Sequence, residues 1–156
     1  MKSPLMAGLI ALLPAAAPVS AMAQNPTIAV NAAEVQAKIA GAEAAVKAGK
    51  PIPSLELLAL APYRANIEYR VAVGGASTHR EENEFFYAIE GGGHLVTGGK
   101  LVEEKDGGRN VMGSAIEGGT GQNVAKGDWI MVPAGVPHWF DRIDGRLVRM
   151  SMKMPK

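Results

Sequence analysis

The chain of 156 residues is long enough for one domain with a sizeable core and too short for two comfortable ones. It carries 16 basic and 15 acidic side chains and no cysteine. The balanced charge argues against a nucleic-acid partner or an anionic membrane surface, because both usually require a concentrated basic surface. The lack of cysteine excludes thiolate metal sites, cysteine nucleophiles and redox dithiols. Any imidazole chemistry must therefore use the three histidines, His79, His94 and His138.

The first residues, MKSPLMAGLIALLPAAAPVSAMAQ, have the pattern of a secretory signal peptide. Lys2 precedes an apolar run, and the small residues Ala21 and Ala23 match the site that a signal peptidase recognises. The apolar run is well short of the roughly 20 residues that span a bilayer, which disfavours a membrane anchor. We therefore predict a signal peptide over residues 1–23 and a periplasmic or secreted mature protein that has no membrane contact after cleavage.

Residues 24–53 are predicted to form a helical extension before the main domain. Asn31 can cap a helix, Glu34 lies at capping-box distance from it, and the segment KPIP prevents continuation. One stripe of this helix is apolar and consists of Val35, Ile39, Ala42 and Val46. The stripe could pack on the domain or on another subunit, so a homodimer and a structural role in an oligomer remain open.

Residues 54–156 are predicted to form an all-β domain. About eight segments of strand length follow one another, joined by glycine-rich turns, which is typical of a double-sheet sandwich or a small barrel. The last segment, GRLVRMSMKM, alternates between two faces. One face has Val148 and three methionines; the other has Arg149, Ser151 and Lys153. We expect the methionines to fill the core rather than to bind a soft metal.

Two segments on either side of a glycine-rich stretch carry the most specific pattern. In HREENEFFYAIEG, six residues separate Glu84 from Gly91, which we expect at the turn that ends the strand. The segment GDWIMVPAGVPHWF has the spacing G-x5-P-x-G-x2-H, formed by Gly127, Pro133, Gly135 and His138. The two segments resemble the two conserved motifs of the cupin superfamily, and the resemblance covers about residues 54–154.

The resemblance implies a cupin jelly-roll β-barrel, or sandwich, to which the chain adds one N-terminal helix. It also implies a metal site built from two histidines and a glutamate of the first motif and one histidine of the second. Carried over by position, His79 matches the first histidine, Glu84 the glutamate and His138 the last histidine. Glu81 stands near the position of the second histidine.

A set of two histidines and one carboxylate suits iron(II) and also serves manganese, zinc or nickel. Three protein ligands leave positions at which water or a bidentate substrate can be polarised. We therefore predict one divalent transition metal ion and an exported enzyme that acts on a small organic molecule, of the oxygenase, isomerase or lyase type. The alternative is a cupin that binds a small molecule or a sugar without catalysis.

Several further residues have open roles. Glu81 could be an additional ligand or could point away, since strand parity places it on the face of His79 and opposite Glu84 unless a bulge intervenes. His94 follows Glu84 at even spacing, so it could face the same interior as an acid or base, or could simply be a histidine near a turn. Tyr69 and Arg70 lie on opposite faces of one strand, so only one of them can face inward. The stretch 103–123 is expected to be a flexible connector or a cover for the barrel mouth.

Overall fold

A computed structural model describes residues 28–50 and 54–156, which contain one helix and eleven strands. The predicted signal peptide lies outside the described residues. Among the described residues, no helix is both long and apolar enough to cross a membrane. The elements in chain order are α1 Ala32–Lys47, β1 Leu55–Leu60, β2 Tyr63–Arg70, β3 Ala76–His79, β4 Glu82–Thr97, β5 Lys100–Val102, β6 Lys105–Gly107, β7 Asn110–Gly113, β8 Ala115–Glu117, β9 Thr120–Ala125, β10 Trp129–Val132 and β11 His138–Pro155.

Helix α1 begins with the predicted capping box. The side chain of Asn31 accepts a hydrogen bond from the backbone N–H of Glu34, and the Glu34 carboxylate accepts one from the backbone N–H of Asn31. The apolar stripe packs on the outside of the chain's own sheet, where Ile39 forms a buried cluster with Ile67 of β2 and Val148 of β11. This contact explains why α1 forms at all, since burial of one apolar face supplies most of a helix's stability.

The strands form an antiparallel jelly roll around the two longest strands. Strands β4 and β11 pair with each other along most of their length. Strand β4 also pairs with β9 and β10, while β11 continues the sheet in the order β1-β2-β11-β3-β7-β6. Strands β5 and β8 form a separate two-stranded sheet. The predicted fold class, an all-β jelly roll with one N-terminal helix, is therefore confirmed.

Strand β4 does not end at Gly91, as the sequence suggested, but continues to Thr97. Gly91 has a φ of +71°, and a side chain here would overlap the carbonyl of Arg146. The glycine thus allows β4 to bend and β11 to approach closely without interrupting the strand.

The expectation that the methionines of β11 fill the core was wrong. Arg149 and Ser151 are each only 4% exposed, whereas Met150, Met152 and Met154 are half-buried. The polar face of the strand turns into the barrel because this part of the interior is a polar cavity. Alternation separated the two faces of β11 correctly. Hydropathy, however, placed the methionine face in the barrel interior, whereas the face with Arg149 and Ser151 lies there.

Residues 103–123 are not one uninterrupted connector. They contain β6, β7, β8 and the first part of β9, and β7 pairs with β3 so that Asn110 lies opposite His79. The stretch therefore supplies a wall of the barrel beside one of the predicted ligands.

An apolar cluster fills the barrel interior next to the polar cavity. It consists of Ala88, Leu95, Val124, Phe140 and Leu147, with Ile130 and Ile143 packed against it. Phe140 belongs both to this cluster and to the wall of the cavity, so its ring marks the boundary between the two.

Candidate metal centre

Three of the predicted ligands converge in the barrel interior. His79 is the last residue of β3, Glu84 lies in β4, and His138 is the first residue of β11. All three are buried, and the Nε2 atoms of both histidines lie 2.9 Å from Oε2 of Glu84. Their ligand atoms all lie within 4.8 Å of one another, which makes this group a candidate metal site.

The spacing of these atoms fits a metal ion. Metal–nitrogen and metal–oxygen bonds are about 2.1 Å long, so two ligand atoms at a right angle about an ion are roughly 3 Å apart. Each nitrogen–oxygen separation of 2.9 Å agrees with that value. The two imidazoles and the carboxylate can therefore occupy neighbouring positions around a single ion.

Hydrogen bonds on the far side of each imidazole orient it toward this centre. Nδ1 of His79 lies 2.6 Å from Oδ1 of Asn110, and Nδ1 of His138 lies 3.2 Å from the backbone carbonyl oxygen of Val136. Because a carbonyl oxygen only accepts, each Nδ1 carries a proton. Each Nε2 therefore faces Glu84, where it can donate a proton to the carboxylate or, once deprotonated, bind an ion. This is the second layer of contacts that usually fixes a metal-binding histidine.

The carboxylate of Glu84 is also held on its other side. Ser151 donates a hydrogen bond of 2.8 Å to Oε1 of Glu84, which leaves Oε2 facing the imidazoles. Burial opposes ionisation of Glu84, but hydrogen bonds from His138 and His79 and the charge of Arg149 hold its pKa well below the usual range. Glu84 is therefore a carboxylate at neutral pH, as a metal ligand must be.

For His79, burial favours the neutral ring, yet hydrogen bonds to Glu84 and Asn110 outweigh it and raise the pKa. The ammonium of Lys153 approaches Nδ1 of His79 only to 3.5 Å, much farther than the amide oxygen of Asn110. A metal ion would take the place of the proton that the Glu84 carboxylate otherwise favours on Nε2.

A bend in the chain at Arg80 and Glu81 explains how His79 and Glu84 can face the same interior although regular strand alternation would place them on opposite faces. It separates β3 from β4, so His79 and Glu84 belong to two strands and need not follow one alternation. Glu81 is exposed on this bend, and its carboxylate lies 3.4 Å from Nε of Arg109. The structure therefore does not bring Glu81 to the cluster, because the bend turns its side chain outward.

His94 is likewise not brought into the interior. Its Nδ1 lies 2.7 Å from the carboxylate of Asp141, and it is absent from the residues that line the cavity. The even spacing from Glu84 fails because the parity of β4 changes at Gly91: Ala88 is buried before it, and Leu95 after it. A register shift in β11 between Ile143 and Leu147 accompanies the change.

The three ligands line a cavity of about 390 Å³. The aromatic residues Trp139 and Phe140 line it directly. Phe86 packs behind them, with its ring 6.0 Å from that of His138. Of the pair Tyr69 and Arg70, the arginine faces the cavity while the tyrosine packs toward α1. A cavity of this size suits a small molecule.

Arg149 and Glu68 also line the cavity, although sequence patterns did not place them there. They are directly opposed on β11 and β2, and Nη2 of Arg149 lies 3.0 Å from Oε2 of Glu68. The guanidinium of Arg149 also stacks on Phe86, with its carbon 3.8 Å from the ring centroid. The regular alternation of β11 was the signal that could have identified Arg149.

Residues 39–146 match the sequence model of a family described as Cupin. No curated protein sequence matches the chain significantly. A solved protein from Bacillus halodurans has a TM-score of 0.55, 15% identity and coverage of 85% of both chains.

Two dioxygenases share the fold. For hydroquinone 1,2-dioxygenase from Sphingomonas sp. TTNP3 with 4-hydroxybenzoate bound, the TM-score is 0.51, the identity 15%, and the match covers 66% of this chain and 65% of that one. For a salicylate 1,2-dioxygenase mutant from Pseudoaminobacter salicylatoxidans in complex with gentisate, the TM-score is 0.56 and the identity 12%. That match covers 80% of this chain and 32% of the dioxygenase. The chain thus spans less than two thirds of either dioxygenase, and the likeness is one of fold.

Proposed function

Because the chain belongs to the cupin family, we propose that it is a metal-dependent enzyme acting on a small organic molecule. One divalent transition metal ion, iron, manganese, zinc or nickel, would be held by His79, Glu84 and His138. The observation that carries this proposal is the convergence of two imidazole nitrogens and one carboxylate oxygen in the wall of a small cavity. When bound, the ion would supply the Lewis acidity or redox chemistry on which oxygenases, isomerases and lyases depend.

The protein's own part is to keep the three ligands in place. Asn110 and the carbonyl of Val136 hold both imidazoles with Nε2 inward, and Ser151 fixes the rotation of the Glu84 carboxylate. With Glu81 outside the cluster, the ligand set carries one negative charge. A divalent ion would therefore keep a net positive charge, which makes it a stronger Lewis acid than an ion bound by two carboxylates.

Metal content in matched histidine variants tests the site. The protein is reconstituted with iron(II), manganese, zinc and nickel in turn, and bound metal is quantified for wild type, His138→Ala and His94→Ala. We expect near-stoichiometric metal in wild type and in His94→Ala, whose ring pairs with Asp141 outside the cavity, and loss in His138→Ala. No bound metal in wild type with any of the four ions would refute the proposal.

A second pair of variants tests the carboxylate. Glu84→Gln removes the negative charge at the cluster, while Glu81→Gln removes a negative charge from the exposed bend between β3 and β4. We expect metal affinity to fall only in Glu84→Gln. An equal fall in Glu81→Gln would return that residue to the ligand set.

Turnover distinguishes an enzyme from a binding protein. The metal-loaded protein is supplied with small phenols, diketones and hydroxy acids, while oxygen consumption and product formation are followed. Oxygenation is tested first because two dioxygenases share the fold. Tight binding of one compound without turnover would favour the non-catalytic alternative.

We also propose that the protein is exported and cleaved after Ala23. The support is the sequence pattern of residues 1–23. Expression of the full chain in a bacterium, followed by fractionation and mass measurement, should give a periplasmic or secreted product that lacks these residues. A full-length product in the cytoplasm would contradict the proposal.

A further inference from the structure

The cavity carries an excess of positive charge. Its lining includes three cationic side chains, Arg70, Arg149 and Lys153, against two carboxylates, Glu68 and Glu84. The excess is one charge before any ion binds, and a divalent ion with neutral imidazoles would raise it to three. In a space partly withdrawn from bulk water such an excess is costly, and an anionic ligand would relieve it.

The two arginines compete for a single acceptor. Oε2 of Glu68 lies 2.7 Å from Nη2 and 3.0 Å from Nε of Arg70, and it also lies 3.0 Å from Nη2 of Arg149. Among the described residues, the buried Nη1 of Arg149 has no hydrogen-bond partner. Buried donors are nearly always partnered, so an unpartnered guanidinium nitrogen beside a cavity points to a missing acceptor.

The arginines lie beside the metal cluster. Arg149 and Ser151 are alternate residues on one face of β11, and Ser151 bonds directly to Glu84. Phe86 lies between the arginine and the metal cluster. Its ring centroid is 3.8 Å from the guanidinium carbon of Arg149 and 6.0 Å from the ring centroid of His138. Arg70 completes the cationic side of the cavity, and its side chain is 30% exposed, so a ligand can reach it.

One part of the remaining wall is apolar, where Met112, Trp139 and Phe140 line the cavity. We infer that the ligand is a small organic acid, with its carboxylate at Arg70 and Arg149, an oxygen donor toward the metal, and an apolar body between them. The position of the oxygen donor rests on the proposed function, whereas the carboxylate site does not. An uncharged sugar would leave the positive excess uncompensated.

Two probes of nearly the same shape, one charged and one neutral, test this inference. 3,4-Dihydroxybenzoate and 3,4-dihydroxybenzamide share a diol that can bind a metal, and only the acid carries a carboxylate. Their affinities are measured by calorimetry on zinc-loaded and metal-free protein, with zinc content determined on the same samples. The variants are Arg70→Gln and the control Arg142→Gln, whose exposed side chain pairs with Asp144.

We expect the acid to bind zinc-loaded wild type at least about tenfold more tightly than the amide. Arg70→Gln should reduce that preference about tenfold and Arg142→Gln should leave it unchanged. Equal affinities for acid and amide, no measurable binding of the acid, or an unaltered preference in Arg70→Gln would each overturn the inference. Failure to load zinc or the other ions would refute the metal site instead, and the same comparison on metal-free protein would still decide the anion site.

Discussion

Ser151 and Glu84 are joined by a buried hydrogen bond of 2.8 Å, from the serine hydroxyl to Oε1 of the carboxylate. The bond fixes the carboxylate so that its other oxygen faces His79 and His138. We predict that Ser151→Ala lowers metal affinity about tenfold. Removing a residue that orients a metal ligand typically weakens metal binding by roughly 10–100-fold. Competition with a metal chelator measures the effect.

The control for this prediction is Ser114→Ala. The Ser114 hydroxyl makes an exposed hydrogen bond to the carbonyl of Val102, away from the cluster. Its removal should leave metal affinity unchanged. Equal affinities of Ser151→Ala and wild type would show that the carboxylate needs no support from the serine.

Asn110 is predicted to act on the metal through His79. Asn110→Ala removes the acceptor that holds the proton on Nδ1 of His79, so metal affinity should fall by about 10-fold or more. Asn110→Asp keeps an acceptor at the same place and should retain metal. The control Asn123→Ala removes an amide that accepts from exposed Arg142 and should have no effect. Equal losses in both Asn110 variants would contradict this role.

The three candidate ligands could be picked out because spacing and residue type identified His138 in the second motif and His79 and Glu84 in the first. Their convergence depends on the bend at Arg80 and Glu81, which starts a new strand. Strand parity assumes a continuous strand, so sequence periodicity could not decide whether Glu81 points toward the candidate ligands or away from them. The same limit applies to His94, because the parity of β4 changes at Gly91.

The charged side of the cavity was not predictable from hydropathy. An arginine, a serine and a lysine on alternate positions of β11 have the pattern of a solvated face, yet Arg149 and Ser151 are buried. Arg149 is held inside the barrel by Glu68 on the neighbouring strand and by the ring of Phe86. Both come close to Arg149 only through the pairing of strands that are distant in the sequence. Alternation defines the faces of a strand, while its partners decide which face is inside.

Gly91 and Gly98 provide a matched test of close packing at the bend of β4. Both have a positive φ, but a Cβ at Gly91 would overlap the Arg146 carbonyl, whereas a Cβ at Gly98 meets nothing within 4 Å. We predict that Gly91→Ala lowers the free energy of unfolding by about 3 kcal/mol and Gly98→Ala by about 1 kcal/mol. Denaturant unfolding measures both values. Equal losses would mean that the backbone conformation, and not the contact with β11, requires the glycine.

The stability of the fold should depend on pH through Glu68. Burial opposes ionisation of Glu68, but the charges of Arg149 and Arg70 outweigh it and lower the pKa below the ordinary value of 4.5. A carboxylate with a lowered pKa in the folded state contributes stability above its unfolded pKa and loses it as pH falls through the folded pKa. Glu68→Gln cannot ionise, and at about pH 7 it should be less stable than wild type by about 3 kcal/mol, since it leaves buried Arg149 without its partner.

The gap in unfolding free energy between wild type and Glu68→Gln should shrink as the pH falls below about 4.5, because the unfolded wild-type chain then binds a proton at Glu68 that the folded protein still excludes. Glu56→Gln is the control, since its exposed pair with Arg64 should contribute less than about 1 kcal/mol. Denaturant unfolding between about pH 7 and pH 3.5 measures both gaps. A gap for Glu68→Gln that stays constant over this range would show that the glutamate stabilises by packing, and that its charge does not hold the two arginines.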